Sequence, residues 1–186
     1  MMRFKIDSTS IDGLRIIYQL PISDSRGFFV RFFCNEQLGE IIGHRSILQI
    51  NRSLTTHAGF LRGLHFQHPP HEEMKLVSCL RGKVFDVAVD LRKGSSTFMN
   101  WHAEVLSESN NKIFVIPEGF AHGFQALTDN CELLYLHTSF YAPEAEGGLN
   151  ALDPKLGIEW PLPVNGRSER DLKYAPISND FYGLSL

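Results

Sequence analysis

The sequence predicts an all-β fold, a sandwich or barrel of short strands. Three observations predict it. Apolar runs are short and rich in phenylalanine, which supplies 14 of the 186 residues, and aromatic residues favour the pleated, half-buried surface of a strand. Residues 83–91 alternate, with Phe85, Val87 and Val89 on one face and Asp86, Ala88 and Asp90 on the other. Turn signals recur between the runs, at Asp24-Ser25, Arg81-Gly82, Lys93-Gly94-Ser95-Ser96 and Asn110-Asn111.

In chain order, strands are expected at residues 14–18, 27–33, 46–49, 59–65 and 83–91, then at 113–116, where Pro117 stops the run, and at 133–136, which contains Tyr135. One early segment reads as a helix, 36–42, with Asn35 as its cap and Gly43 just past its end. After Pro143 the texture changes. Residues 144–152 suit a turn of helix, and Asp153-Pro154 suits a turn. The end of the chain reads as irregular, because Pro161, Pro163, Asn165, Gly166 and Pro176 interrupt it. No repeat, low-complexity tract or linker divides the sequence. One domain over 1–186 is therefore expected, with a β core at about 11–142 and an irregular segment at about 143–186.

Composition narrows the function classes. A hydrophobic fraction of 43% with 21% charged residues is ordinary globular usage and argues against disorder. Eighteen basic against 21 acidic side chains give −3, so no broad cationic surface for nucleic acid or an anionic membrane is expected. No apolar run approaches the ~20 residues that span a bilayer. The opening MMRFKIDSTSID has no apolar stretch of the kind a secretory signal needs. Cys34, Cys79 and Cys131 are odd in number and widely spaced. They read as reduced thiols of a cytoplasmic protein.

Three places carry side chains suited to chemistry. The densest is Arg62-Gly63-Leu64-His65-Phe66-Gln67, followed by Lys75. On a regular strand Arg62 and Leu64 would face one way, and Gly63, His65 and Gln67 the other. The second is Pro117-Glu118-Gly119-Phe120-Ala121-His122-Gly123-Phe124, where a proline and two glycines bend the backbone around a polar ring. The third is Tyr135. Taken singly, each has a plain reading: a satisfied core histidine, a solvated lysine, a hydrogen-bonded core tyrosine. His44, His57, His68, His71, His102 and His137 keep that plain reading.

Spacing argues against a metal site. Pro117-x-Gly119-x-x-His122 resembles the second motif of the cupins, whose metal ligands come mostly from a first motif with His-x-His and a nearby Glu. Here the corresponding stretch is His65-Phe66-Gln67-His68, with two residues between the histidines. On a strand those rings would point to opposite faces. Glu72 and Glu73 lie beyond Pro69-Pro70. Convergence on one ion at about 2.0–2.2 Å is not supported, and no metal is expected.

Read together, the motifs resemble those of the dTDP-4-dehydrorhamnose 3,5-epimerase family. The matching stretches are Asp24-x-Arg26-Gly27-Phe28-Phe29, Gln49-x-Asn51-x-Ser53, Arg62 through Gln67, Lys75-Leu76-Val77, Gly82 through Arg92, and Ile116 through Phe124. Tyr135, Tyr141-x-Pro143-x-x-Glu146, Asp153-Pro154, Ile158-x-Trp160-Pro161 and Ser168-x-x-Asp171 follow in the family's order. The resemblance implies a cupin-type double-stranded β-helix, or jelly roll, with a few short helices. It also implies a homodimer, a nucleotide-diphosphate sugar substrate and no cofactor.

The implied reaction inverts carbons beside the C4 ketone of an activated 4-keto-6-deoxy sugar. Such a ketone acidifies its neighbouring C–H bonds, so inversion needs a base on one face, an acid on the other, and a donor at the enolate oxygen. The resemblance assigns His65 as base, Asp171 as its carboxylate partner, Tyr135 as acid and Lys75 as enolate stabiliser. His122 and Asp86 would line the same cavity. Arg26, Gln49, Asn51, Arg62, Glu146 and Arg170 would hold nucleotide, diphosphate or sugar, a task suited to arginine's planar fork.

The chain departs from the family at several positions. Arg170 stands where lysine is usual, and Arg31 stands where glutamate is usual. The second change replaces an acceptor-only anion with a donor-only cation, which opens CDP-, GDP- or UDP-sugars beside dTDP-sugars. Leu136-His137 and Asn150-Ala151-Leu152 differ near the substrate rim, which leaves inversion at one carbon open beside inversion at two. A metal-dependent cupin enzyme and a non-catalytic sugar-nucleotide binder are the competing readings.

Overall fold

Alternating and fully apolar runs both become strands here, and they assemble into two facing sheets. The computed structural model describes residues 2–186. Its strands are β1 (Phe4–Ser8), β2 (Arg15–Gln19), β3 (Ile22–Asp24), β4 (Gly27–Phe29), β5 (Gln49–Thr55), β6 (Leu61–Gln67), β7 (Lys75–Arg81), β8 (Lys83–Asp90), β9 (Trp101–Ser107), β10 (Lys112–Ile116), β11 (Phe120–Ala126), β12 (Cys131–His137) and β13 (Glu146–Gly148). The helices are α1 (Asn35–Ile42), α2 (Glu169–Leu172) and a 3-10 turn, Pro143–Ala145.

One sheet has six strands in the order β1-β2-β10-β7-β12-β5, and the other has five in the order β13-β6-β11-β8-β9. Neighbouring strands in both sheets run antiparallel. Non-consecutive neighbours mark the crossovers of a jelly roll. The fold is the cupin-type all-β class that the resemblance implied.

Three apolar layers hold it. Between the sheets lie Leu14, Ile16, Val77, Phe114, Phe120, Phe124 and Leu133. Outside the six-stranded sheet, Leu38 and Ile42 of α1 cover Ile17, Leu76, Ile113 and Leu136. Outside the five-stranded sheet, Leu149, Ala151, Leu156, Ile177 and Leu184 cover Leu61, Leu64, Val87, Val89 and Ala121. The irregular end of the chain is thus the lid of one sheet, and its many prolines do not stop it from packing.

Several expectations are corrected. Cys34, in extended conformation, precedes α1 and Asn35 is its first helical residue, with no side-chain cap. Gly43 does end the helix at φ 62°, a left-handed value that glycine adopts without strain. The expected strand at 27–33 stops at Phe29 and pairs with β3 as an exposed two-stranded hairpin. The expected strand at 46–49 begins only at Gln49. The expected helical turn at 144–152 is a 3-10 turn followed at once by β13. The bend suggested by Pro117 and its glycines falls at Glu118-Gly119, where Gly119 has φ 80°, and residues 120–126 beyond it form the buried strand β11, which alternation did not mark.

Candidate active site

A cavity of about 260 Å³ opens between the sheets. The five-stranded sheet lines it with Arg62 and His65 from β6, His122 from β11 and Glu146 from β13. The six-stranded sheet lines it with Asn51 and Ser53 from β5, Lys75 from β7, and Tyr135 and His137 from β12. Arg170 closes it from α2. Eight of the expected site residues therefore line one cavity: Asn51, Arg62, His65, Lys75, His122, Tyr135, Glu146 and Arg170.

The parity expected at residues 62–65 is overturned by a bulge. His122 pairs with His65, but Phe124, two residues on, pairs with Arg62, three residues back. An extra residue on one strand flips the side-chain alternation. Arg62 and His65 thereby share the cavity side, while Leu64 is buried in the outer core. Gly63 makes this possible. It sits at φ 111°, and a Cβ there would lie 2.6 Å from the Cα of Gly123 and 2.7 Å from the carbonyl oxygen of His122.

Behind His65 stands Asp171. The Nε2 of His65 lies 2.8 Å from the Asp171 Oδ1, and the backbone N–H of Gly63 donates to the Oδ2 at 3.2 Å. Asp171 is 1% exposed. Ser168, the N-cap of α2, accepts from the Asp171 N–H and fixes the residue on a single helical turn. Burial alone would raise the Asp171 pKa. The hydrogen bond with His65, together with that from the Gly63 N–H, outweighs it and holds the carboxyl below its usual range. An anionic Asp171 accepts the Nε2 proton of His65, which leaves the Nδ1 lone pair to take a proton. Arg170 Nη2 lies 3.3 Å from the same Nε2, a contact between two donors and not a hydrogen bond, and Arg170 Nη1 donates to Glu146 Oε2 at 2.6 Å.

His122 is built the same way. Its Nε2 lies 2.5 Å from Oδ1 of Asp86, which is fully buried. Asp86 therefore stands behind His122 and does not itself line the cavity.

On the opposite wall, the Tyr135 hydroxyl shares a hydrogen bond with Ser53 Oγ at 3.2 Å. Burial pushes the phenol pKa well above its ordinary value, so Tyr135 stays an O–H donor. The His122 ring meets it edge-on at 6.2 Å. Lys75, 8% exposed, points its Nζ to Glu73 Oε1 at 3.2 Å.

Two expected residues lie elsewhere. Gln49 accepts from the Tyr141 N–H at 3.2 Å and does not line the cavity. Arg26 sits in the turn of the β3–β4 hairpin, pairs with Asp24 at 2.6 Å, and lines a different, exposed groove with Phe28 and Phe29. Sequence reading missed Arg52, Ser53, Glu73, His137 and Tyr141, which line the main cavity. The Tyr141 hydroxyl donates to Glu146, a bond that raises the phenol's pKa. Two signals pointed to His137: alternation from Tyr135, and its place in Leu136-His137 near the substrate rim. Among the described residues, no three His, Cys, Asp or Glu side chains gather as a metal-binding group, and no helix is long and apolar enough to cross a membrane.

Known proteins match over nearly the whole chain. The sequence pattern of the dTDP-4-dehydrorhamnose 3,5-epimerase family matches residues 8–179. The dTDP-4-dehydrorhamnose 3,5-epimerase of Methanothermobacter thermautotrophicus is 43% identical over 181 residues, which is 95% of this chain and 96% of that protein. The crystal structure of dTDP-6-deoxy-D-glucose-3,5-epimerase from Legionella pneumophila, in complex with dTDP-4-keto-L-rhamnose, superposes with a TM-score of 0.90 at 40% identity, covering 98% of this chain and 99% of that one. The structure of ChmJ, a 3'-monoepimerase from Streptomyces bikiniensis in complex with dTDP-quinovose, superposes with a TM-score of 0.78 at 33% identity, covering 95% and 85%. The chain belongs to the dTDP-4-dehydrorhamnose 3,5-epimerase family of isomerases.

Proposed function

We propose that the chain inverts C3 and C5 of dTDP-4-dehydro-6-deoxyglucose, giving dTDP-4-dehydrorhamnose, without a cofactor. The observation that carries this is one cavity with a carboxylate-backed imidazole, His65, on one wall and a protonated phenol, Tyr135, on the other. His65 takes the proton beside the ketone as C–H electrons move into an enolate. The Lys75 ammonium stabilises the enolate oxygen. Tyr135 returns a proton from the opposite face, and the stereocentre inverts. Arg62, Arg170 and Asn51 supply donors for diphosphate and sugar.

Inversion at a single carbon has one specific observation in its favour. His137, read from the sequence as a departure near the substrate rim, lines the cavity.

We also read the protein as a homodimer in the cytoplasm. The β3–β4 hairpin holds Phe28 and Phe29 in water at 71% and 59% exposure, and a second copy would cover them. That docking would carry Arg26 to the partner's cavity, since it does not line its own. Three unpaired cysteines fit a reducing compartment.

The test is proton NMR in heavy water with the dTDP-, CDP-, GDP- and UDP-linked 4-keto-6-deoxy sugars. The expected result is deuterium entering C3 and C5 of the dTDP sugar, with inversion, and no added metal. Binding without exchange in every sugar would overturn the proposal. Exchange at one carbon alone would select the single-inversion reading.

A further inference from the structure

The six-stranded wall carries a hydrogen-bonded chain behind Lys75, and two of its members, Glu73 and His137, have no part in the reaction above. Lys75 and His137 are direct cross-strand partners on β7 and β12, so their side chains share the cavity face. Glu73, just before β7, reaches both of them. Its Oε1 lies 3.2 Å from Lys75 Nζ, and its Oε2 lies 2.6 Å from His137 Nδ1. The Glu73 side chain is 9% exposed. Burial would raise its pKa, but the charge of Lys75 and the bond from His137 outweigh that and hold it below the usual range. Glu73 is thus an anion with both oxygens engaged.

The far nitrogen of His137, Nε2, lies 3.2 Å from Asn51 Nδ2. An amide N–H there donates to the ring, which places the ring proton on Nδ1, directed at Glu73. The His137 ring also stacks on Tyr135, with centroids 6.0 Å apart and planes 22° apart.

A lysine has a flexible four-carbon stem and three rotatable donors, so its ammonium needs external fixing to sit at one point. An enolate oxygen develops at one point. We propose that Glu73 and His137 are positioning residues, His137 locking the Glu73 carboxylate so that it holds the Lys75 ammonium where the enolate oxygen forms. This rests on the reading of Lys75 given above. The unit acts on the rate of enolisation and leaves substrate affinity nearly untouched.

Packing alone makes the opposite forecast for His137, and two substitutions separate the two. His137→Phe keeps an aromatic ring against Tyr135 and removes the donor to Glu73. His137→Asn removes the ring and retains an N–H at the position of Nδ1. The full-length chain is assayed with dTDP-4-dehydro-6-deoxyglucose for kcat, KM and deuterium entry, and melting temperature monitors folding.

The expected result is a loss of about 10- to 100-fold in kcat for His137→Phe, with KM within about threefold and slowed deuterium entry. His137→Asn is expected to retain most of the wild-type kcat. Glu73→Gln, which removes the charge between Lys75 and His137, is expected to match or exceed the His137→Phe loss.

The inference is overturned if His137→Phe keeps wild-type kcat while His137→Asn loses it, or if all three variants turn over within threefold of wild type. Wild-type protein that exchanges no deuterium would instead remove the proposed reaction itself. Should Glu73→Gln fail to fold, the His137 pair still decides.

Discussion

The two walls of the cavity solve different electrostatic problems. On the five-stranded wall, His65 and His122 face the cavity, and their carboxylates, Asp171 and Asp86, are buried behind them. On the six-stranded wall a cation, Lys75, and a neutral phenol, Tyr135, face the cavity, and the one carboxylate, Glu73, lines it beside the cation. A base must be neutral before it acts and stabilised once charged, which a buried anion behind an imidazole achieves. An enolate stabiliser must already be charged, and an acid must keep its proton. In the proposed reaction, then, the first wall accepts a proton, and the second meets negative charge and returns one.

The largest expected effect separates the walls directly. His65→Asn removes the acceptor and should lower both deuterium exchange and inversion by about 10³-fold or more, within the usual range for a general base. Tyr135→Phe removes only the returning proton. Deuterium exchange beside the ketone should persist, while inversion falls by about 10²-fold. NMR in heavy water measures both quantities in one tube. Equal loss of exchange and inversion in Tyr135→Phe would erase the division of labour between the walls.

Asp171→Asn sharpens the comparison on the accepting wall. The variant keeps a side chain of the same shape behind His65, but it loses the charge that stabilises the imidazolium. The expected loss is about 10²- to 10⁴-fold in kcat, with little change in KM. Steady-state kinetics beside a dTDP-binding titration would check it. Unchanged kcat would mean that His65 needs no anion behind it.

How much of this was legible before the structure depended on the distance over which each signal acts. The alternation at Lys83–Asp90 appears as β8, because one strand's facing depends on local pleat alone. His65 and Tyr135 were visible as polar groups within expected strands, and His122 as a polar ring between Phe120 and Phe124. Asp171 pairs with His65 across 106 residues of sequence, and the family pattern, not spacing, pointed to it. The bulge at Arg62–His65 was not legible. Parity assumes a regular ladder, and only the approach of Gly63 to Gly123 shows why this ladder breaks. Glu73 was hidden for a similar reason. It follows a proline-rich loop that gives no facing rule, and its partners come from β7 and β12. Strand β11 was missed because burial on both faces erases alternation.

The smallest expected effect is on acid stability, and it compares the carboxylates of the two walls. Asp171 and Glu73 both hold a folded-state pKa below the unfolded value. Each therefore contributes stability that is fully present above the unfolded carboxylate value, about 4, and is lost as pH falls through the lower, folded pKa. Melting temperature should accordingly decline as pH drops from about 5 toward about 2. In Asp171→Asn and in Glu73→Gln part of that decline should vanish, because neither amide titrates. The two losses should add in the double variant, since the carboxylates stand on opposite walls with no shared hydrogen-bond partner. A double variant whose acid slope matched that of either single variant would mean that the walls titrate as one unit and that the separation drawn between them is wrong.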